Sequence, residues 1–441
     1  MRVVRGIEAG REALRRGVLR VWDDPSAVRT VVEILDSVRS RGDAALREYT
    51  ARLDGVDVER LEVPKEEWRA AYRSVPRSLR DALETVAGRV RDFHQRCLPK
   101  TWVDLQKGFG ELFNPVDRAG VYCPGGSAAY PSTVLMAAIP ARVAGVRDVV
   151  VATPPQRDGS ATAVVLAAAH VAGVDRVFRA GGAQAIAAMA YGPESVPKVD
   201  IVCGPGNIYV TLAKRMVFGE VGVDGLYGPT ETVVIADGDA DPVHCAADLV
   251  AQAEHDPLAS PIFITTSEAL LERVQREVMR QVARLSSGAA ATAAFEAHGT
   301  AVLVADAEEA VELANLYAPE HLCLLVNEPW RLLGRVRNAG AAFLGDYSPE
   351  VMGDYVAGPS HVMPTGGTAR FSGPLGVHDF LKVTSIVALD RESFTDLAPA
   401  GMRMARAEGF EGHGNAMRLR LRPSRKGPSQ ARGDGRGSAG R

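Results

Sequence analysis

The sequence predicts an α/β protein, and two observations carry the prediction. From Val121 onward, strand-like and helix-like runs alternate at short spacing: DVVVATPP, ATAVVLAAAHVAGV, RVFRAGG, AQAIAAMAYG, VDIVCGPGN and IYVTLAKRMVFG. A second block repeats the alternation, with TVVIAD, PIFITTS, TAVLVAD, HLCLLV and GAAFLGD as its strands. Such alternation is the signature of parallel, doubly wound sheets. The expected architecture is two doubly wound, Rossmann-like α/β domains with a helical N-terminal region and a small C-terminal helical segment.

Taken in order, residues 1–20 are basic and poor in apolar anchors, and read as an arm that needs another surface to pack on. A helix begins at Asp24-Pro25-Ser26, with Val28, Val31, Val32, Leu35 and Val38 at the helical period. Gly42 interrupts it, and Leu46, Tyr49 and Leu53 continue a second helix. A third runs from about Glu66 to Cys97, with Leu79, Leu83, Val86, Val90 and Phe93 on one side. Residues 21–121 and 231–375 are expected to form one α/β domain, and residues 122–230 the other. Beyond Asp346 the chain turns rich in Gly and Pro, and long irregular stretches inside compact domains tend to be functional. Residues 376–422 read as helical. The tail, 423–441, is rich in Gly, Ser, Arg and Pro and reads as disordered.

Composition excludes several classes of function. Apolar residues make up 46% and charged residues 24% of the 441, enough for large cores beneath an ordinary solvated surface. A net charge of -3 lacks the basic excess of a nucleic-acid binder. No apolar run reaches the roughly 18 residues of a membrane span, and the N-terminus has no secretory apolar region. Cys97, Cys123, Cys203, Cys245 and Cys323 contain no C-x-x-C pair and suit reduced thiols in a cytoplasm.

The densest chemistry lies in Gln252-Ala253-Glu254-His255. Leu249, Val250 and Ala253 form an apolar stripe, and Asp256-Pro257 is expected to end the helix. That puts Gln252 and His255 on one helical face, three residues apart. An amide oxygen and an imidazole nitrogen there make half of a site for a borderline cation such as zinc. Alone, so short a motif more often marks a capped surface helix. Other candidates add weight: Glu320-His321 at a helix-to-strand junction, and Asp354 and His361 in the Gly/Pro-rich stretch. Glu408 and His413 lie in the last helical segment, His413 in a glycine-flanked turn. An adjacent acid and imidazole offer a general base near neutral pH and a carboxylate able to activate water. His170, mid-helix among alanines and valines, reads as a packed or half-exposed core histidine. His94, His244 and His298 are given no role.

Three turns, Cys123-Pro124-Gly125-Gly126-Ser127, Gly181-Gly182-Ala183-Gln184 and Gly204-Pro205-Gly206-Asn207, sit where a strand hands over to a helix. There glycine allows close approach and helix N-termini favour anions, so a dinucleotide pyrophosphate would fit. Tight turns alone would call for the same glycines. The G-x-G-x-x-G fingerprint is absent.

In this order the motifs VYCPGGSAAYPSTVLM, GGAQAIAA, GPGNIYV, QAEHDPLAS, APEHL, GDYVAGPSHVMPTGGTARF and EGHGNA resemble those of the histidinol dehydrogenases. The resemblance covers nearly the whole chain apart from the final tail. It implies NAD-linked oxidation of L-histidinol to L-histidine through the aldehyde, the last steps of histidine synthesis, in a cytoplasmic homodimer. It implies zinc held by Gln252, His255, Asp354 and His413, and an acid–base pair of Glu320 and His321. His321 would be the general base of the hydride transfers, and Glu320 would activate the water that adds to the aldehyde. Thr230, His361 and Glu408 match substrate contacts, beside the zinc-ligand positions and the acid–base pair. Tyr122, Gln184 and Asn207 match residues that hold NAD. Residues 122–230 would then bind NAD, and the domain of 21–121 and 231–375 would carry zinc and the acid–base pair. Residues 376–422 would complete the partner's site, with Glu408 and His413 acting in trans. A partner would also give residues 1–20 their external surface.

One stretch departs from the family pattern. Where Gly-Pro-Ser-Glu, preceded by Asp-Met and small residues, is usual, this chain has Asp224-Gly225-Leu226-Tyr227-Gly228-Pro229-Thr230-Glu231. Thr230 keeps the hydroxyl of the substrate-contacting serine and adds a methyl, while Leu226-Tyr227 brings bulk expected near the pocket. A change of that size shifts discrimination by roughly 1–3 kcal/mol. Ser127 stands where many relatives carry lysine. Two other readings therefore stand beside the first. One is a paralogue oxidising another small polar primary alcohol, such as a sulfonated diol. The other is a silent scaffold that binds metal or nucleotide without turnover, and the competent residues at every catalytic position speak against it.

Overall fold

The structure, a computed structural model, describes residues 1–16, 24–125, 129–286 and 288–422. Ser127, the tail 423–441 and residues 17–20 of the N-terminal arm lie outside the described residues.

Strand β1 (Arg2–Arg5) and helix α1 (Ile7–Ala13) open the chain. Helices α2 (Pro25–Arg41) and α3 (Asp43–Asp54), strand β2 (Glu62–Val63) and helices α4 (Lys65–Ser74) and α5 (Arg77–Arg96) follow. Asp24 caps α2 by accepting the Ser26 N–H, and Pro25 fills the first turn, where its missing N–H is not needed. The single helix expected over 66–97 is two helices. Pro76 cannot continue the hydrogen-bond ladder and pushes Val75 into an extended conformation (φ -71°, ψ 149°).

Strands β3 (Trp102–Asp104) and β4 (Phe109–Pro115) pair as a hairpin. The first large sheet is then built from β5 (Arg118–Tyr122), α6 (Pro131–Ala144), β6 (Asp148–Thr153), α7 (Ala163–Ala172), β7 (Arg176–Arg179), α8 (Gly182–Tyr191), β8 (Ile201–Cys203), α9 (Ile208–Val217) and β9 (Gly222–Val223). Its order is β2-β7-β6-β5-β8-β9, with only β2 antiparallel to its neighbour. The two-residue period of a strand sends Val149 and Val151 of β6 into one core and Val150 and Ala152 into the other. Helices α4 to α7 cover the first face, and α2, α3, α8 and α9 the second. The N-terminal helices therefore pack on this sheet, whereas the expected grouping joined 21–121 to 231–375. Their apolar stripes say that one face is covered, not which sheet covers it.

The second large sheet and its helices comprise β10 (Glu231–Ala236), α10 (Pro242–Ala253), β11 (Ser260–Thr265), α11 (Glu268–Val282), α12 (Gly288–Ala297), β12 (Thr300–Leu303), α13 (Ala307–Tyr317), β13 (His321–Leu325), α14 (Pro329–Leu333), β14 (Ala341–Leu344) and α15 (Glu350–Tyr355). The order is β1-β12-β11-β10-β13-β14, all parallel. Here the N-terminal arm finds its surface within its own chain. Val3 and Val4 lie opposite Ala301 and Val302 at the sheet edge, and Leu14 is buried in the adjoining core. Residues 224–230 alone join β9 to β10. This short tether keeps the amino end of β10 near the carboxyl edge of the first sheet.

Short 3-10 turns at Thr368–Arg370 and Val377–Phe380 lead to β15 (Leu381–Val387), α16 (Arg391–Ala407) and α17 (Glu411–Arg420). The C-terminal segment, expected to be wholly helical, thus opens with a strand. In LKVTSIV the β-branched Val383, Thr384, Ile386 and Val387 favour the extended chain. The chain divides into two units: residues 1–99 with 115–382, which hold both large sheets, and residues 100–114 with those from 383 on. In the second unit β15, β4 and β3 form a three-stranded sheet, and Met417 of α17 packs where Gly401 of α16 leaves room. No helix among the described residues is long and apolar enough to cross a membrane.

Candidate active site and cofactor cavity

A cavity of about 1070 Å³ lies at the carboxyl ends of β5 to β8, beside the point where strand order reverses between β5 and β8. Doubly wound sheets bind their ligands at such switch points. Tyr122, Gln184 and Asn207, from three different strand-to-helix turns, all line it. The Tyr122 hydroxyl accepts the Gly182 N–H at 3.0 Å, and burial pushes its pKa up, so the phenol keeps its proton for a ligand. Gln184 is 1% exposed, and neither its amide oxygen nor its nitrogen finds a partner. An amide left so costs about 1–3 kcal/mol, which the polar groups of a bound dinucleotide would recover. The Asn207 oxygen caps α9, accepting the N–H groups of Tyr209 and Val210 at 3.1 and 3.2 Å, which leaves its amide nitrogen to donate.

The loop that presents Asn207 is clasped from behind. Gly204 has φ 111°, and a Cβ there would lie 2.1 Å from the Tyr122 carbonyl, so no larger residue fits. Buried Lys214 donates to the Gly204 carbonyl at 2.9 Å. Asp224, ion-paired with Lys214, accepts the Gly204 N–H at 2.8 Å.

A second cluster forms at the amino ends of β10 and β13. Helix α13 ends at Ala318 (φ 54°), the one non-glycine with positive φ among the described residues, and Pro319 follows. The sharp exit turns Glu320 and His321 into the protein, 8% and 2% exposed. The Thr230 hydroxyl lies 2.8 Å from both Gln252 Oε1 and Glu320 Oε2. The Glu231 N–H donates to Glu320 Oε2 at 3.1 Å, and its carbonyl faces His321 Nδ1 at 3.3 Å. His321 Nε2 is 3.2 Å from Asp354 Oδ1, and Gln252 Nε2 donates to Asp354 Oδ2 at 3.1 Å. The Asp354 carbonyl accepts from His361 Nδ1 at 2.8 Å, and His361 Nε2 faces the Thr133 hydroxyl at 3.2 Å. The structure therefore gathers Thr230, Gln252, Glu320, His321, Asp354 and His361 into one network. Burial pushes Glu320 up to about 7, against the pull of His321. Burial alone would lower His321, but the Glu320 and Asp354 carboxylates outweigh it and raise it to about 10. Burial holds the His361 imidazole below its ordinary range and so neutral.

Three placements differ from expectation. Helix α10 stops at Ala253, before Asp256-Pro257, because its last turn tightens: the His255 N–H reaches the Gln252 carbonyl at 3.2 Å. His255 is consequently exposed in the following turn rather than on the helical face of Gln252, though it still acts electrostatically on Asp354. Asp354 lies on α15 rather than in an irregular loop. His413 lies in α17 rather than in a turn, its ring 4.9 Å from that of Phe410. Glu408 ends α16, and both it and His413 are exposed on the second unit.

Among the described residues no three His, Cys, Asp or Glu side chains converge into a complete metal shell. The donors present are nonetheless of the right kind. An amide and a carboxylate are in contact, with an exposed imidazole near the carboxylate, which supplies oxygen and nitrogen ligands for zinc and leaves coordination positions open.

The sequence profile of the histidinol dehydrogenase family matches residues 20–421. A histidinol dehydrogenase from Syntrophotalea carbinolica is 50% identical over 418 residues, which are 93% of this chain and 97% of that one. One from Thermus thermophilus is 52% identical over 399 residues, 90% and 95% of the two chains. The chain belongs to the histidinol dehydrogenase family. The crystal structure of histidinol dehydrogenase from Elizabethkingia anophelis matches with a TM-score of 0.91 at 31% identity, over 96% of this chain and 98% of that one.

Within the histidinol dehydrogenase scaffold the departure at 224–231 proves smaller than its residues suggest. Tyr227, expected to bring bulk near the pocket, turns into the core, where the Lys214 ammonium sits 4.6 Å above its ring. Glu231 does not stand out by its sequence, because its backbone brackets Glu320 and His321 and any residue type has that backbone. Its carboxylate takes a bidentate contact from Arg16 at 2.5 and 2.6 Å, so the N-terminal arm buttresses the site from behind.

Proposed function

We propose that this chain oxidises L-histidinol to L-histidine through the aldehyde, with NAD as hydride acceptor and zinc as a fixed Lewis acid. The observation that carries the reading is the buried network joining Glu320, Thr230, Gln252, Asp354 and His321 in a chain of this family. Over both oxidations one histidinol gives up two hydrides and three protons and takes up one water.

His321, which the Glu320 and Asp354 carboxylates keep protonated in the substrate-free site, must release that proton before its Nε2 takes the alcohol proton as hydride leaves, and must release that one before it takes a proton from the hydrated aldehyde. In the substrate-free site that nitrogen faces Asp354, so substrate must replace this partner. Glu320 accepts a proton from the water that adds to the aldehyde, and Thr230 and the Glu231 N–H hold its carboxylate for that task. Thr230, His361 and Glu408 contact substrate. Tyr122, Gln184 and Asn207 hold the dinucleotide, whose nicotinamide supplies the hydride acceptor when bound. Gln252, His255 and Asp354 would hold zinc, with His413 of a second copy completing the set in a homodimer. The metal would orient the alcohol and polarise its oxygen, having no redox chemistry of its own.

Because Tyr227 is packed in the core, its bulk no longer argues for a different alcohol, and half-buried Leu226 and the added methyl of Thr230 are what remain of that argument. Steady-state NADH formation on L-histidinol, against a panel of small polar alcohols that includes a sulfonated diol, tests the reading. Turnover is expected on histidinol and is expected to stop on chelation. Turnover on another alcohol alone would move the chain to a paralogous activity, and none on the whole panel would leave a binding scaffold.

A further inference from the structure

We propose that Asp54 receives the adenosine ribose of the cofactor and makes the cavity choose NAD over NADP; this rests on reading the cavity as the dinucleotide site. Asp54 is the last residue of α3 and lines the cavity together with Thr30, Ile34 and Leu53 of α2 and α3, which the chemistry above does not use. Its Oδ2 is buried and has no hydrogen-bond partner. The carboxylate lies against the first turn of α8: a Cβ built on Gly181 would be 3.2 Å from Asp54 Oδ1 and 2.9 Å from Pro154. Burial raises its pKa to about 6, which still leaves it ionised near neutrality. A half-buried carboxylate on the wall of a cavity, one of its oxygens without a donor, suits a ligand that brings O–H groups and no negative charge.

A ribose diol is such a ligand, with an O–H to donate to the carboxylate. A 2′-phosphate would replace a donor with negative charge beside the carboxylate. Ile34, Leu53 and Pro154 in the same lining supply apolar surface for an adenine ring. Arg157, the cation among the described lining residues, is exposed on the loop after β6, so the charge on the α3 side is negative.

The test uses the full chain and calorimetric binding of NAD, NADP and NAD lacking the adenosine 2′-hydroxyl, with histidinol absent. Wild type should bind NAD about ten- to hundredfold tighter than the deoxy analogue, the effect of one charge-assisted hydrogen bond. In Asp54→Asn NAD should weaken by a similar factor while NADP does not, and the deoxy penalty should vanish. The melting temperature of cofactor-free Asp54→Asn should hold or rise, because an unpartnered carboxylate is neutralised; a purely structural role would lower it. Equal binding of NAD and its deoxy analogue by wild type, or an unchanged NAD-to-NADP ratio in the variant, overturns the assignment. The deoxy comparison needs no variant and holds even if Asp54→Asn misfolds. Expected binding without histidinol oxidation would sink the substrate reading and spare Asp54. Oxidation with an unchanged cofactor ratio would do the reverse, and no dinucleotide binding at all would end both.

Discussion

The hydroxyl of Thr230 has one proton and two acceptors, Gln252 Oε1 and Glu320 Oε2, each 2.8 Å away. It can satisfy one at a time, so it couples the rotamer of a proposed metal ligand to that of the proposed base. Thr230→Ser keeps the hydroxyl, and its kcat/KM on histidinol should stay near wild type. Thr230→Val keeps the shape and removes the one proton that Gln252 Oε1 and Glu320 Oε2 share, leaving Glu320 Oε2 only the Glu231 N–H. Its kcat/KM should fall by about 1.5–3 kcal/mol in transition-state terms, since one acceptor is charged. Equal rates for all three proteins would remove Thr230 from the site. His321→Ala should lower turnover by about 10²- to 10⁴-fold, the usual worth of a general base, with bound zinc unchanged by elemental analysis. Loss of the metal instead would make His321 part of the metal's support. At this scale the sequence was most legible where chemistry is local. Glu320-His321, Gln252 and Asp354 stand out by residue type. Thr133 and Glu231 do not, because one arrives from a distant helix and the other works through its backbone.

At the scale of elements, the Lys214–Asp224 pair gives the clearest test. Both side chains are almost wholly buried and hold both hydrogen-bonding groups of Gly204. Lys214→Met strands a buried carboxylate and should destabilise the protein by about 3–5 kcal/mol in denaturant unfolding. Adding Asp224→Leu should restore much of that loss; a single variant as stable as wild type would mean that the clasp bears no load. Sequence periodicity located most strands of both large sheets and most of their helices, because continuous apolar runs and helical stripes are local properties, but not β1, β2 or β9, which are too short or too polar to show one. It misplaced the end of α10, where a tightened last turn outran the Asp256-Pro257 stop signal. It also could not show that the Glu320–His321 cluster lies at the amino edge of its sheet while the cavity lined by Tyr122, Gln184 and Asn207 lies at a carboxyl edge. That pairing of edges comes from the short 224–230 tether, whose brevity is visible in the sequence only once β9 and β10 are known.

For the whole molecule, two measurements bear on the fold and the assembly. His94 is 2% exposed with neither ring nitrogen partnered, and burial lowers it from its ordinary 6.5 to about 4. The unfolded chain therefore takes the proton first, so stability is complete above 6.5 and is lost as pH falls from 6.5 to 4. The loss amounts to on the order of 3 kcal/mol at about 1.4 kcal/mol per unit. His94→Leu should flatten that acid limb in unfolding curves, and an unchanged limb would place the acid-sensitive group elsewhere. If His413 acts in trans, mixing inactive His321→Ala with inactive His413→Ala subunits should recover about a quarter of wild-type activity at random assortment. No recovery would put His413 in its own chain's site or outside any site. The alternating order of strands and helices announced two sheets, but amphipathic helices alone could not say that residues 24–97 enclose the first sheet rather than the second. The most direct test of the central claim is the count of NADH formed per L-histidinol consumed by the wild-type protein. Two NADH with L-histidine as product are expected; one NADH with released aldehyde, or none, would contradict a site built for both oxidations.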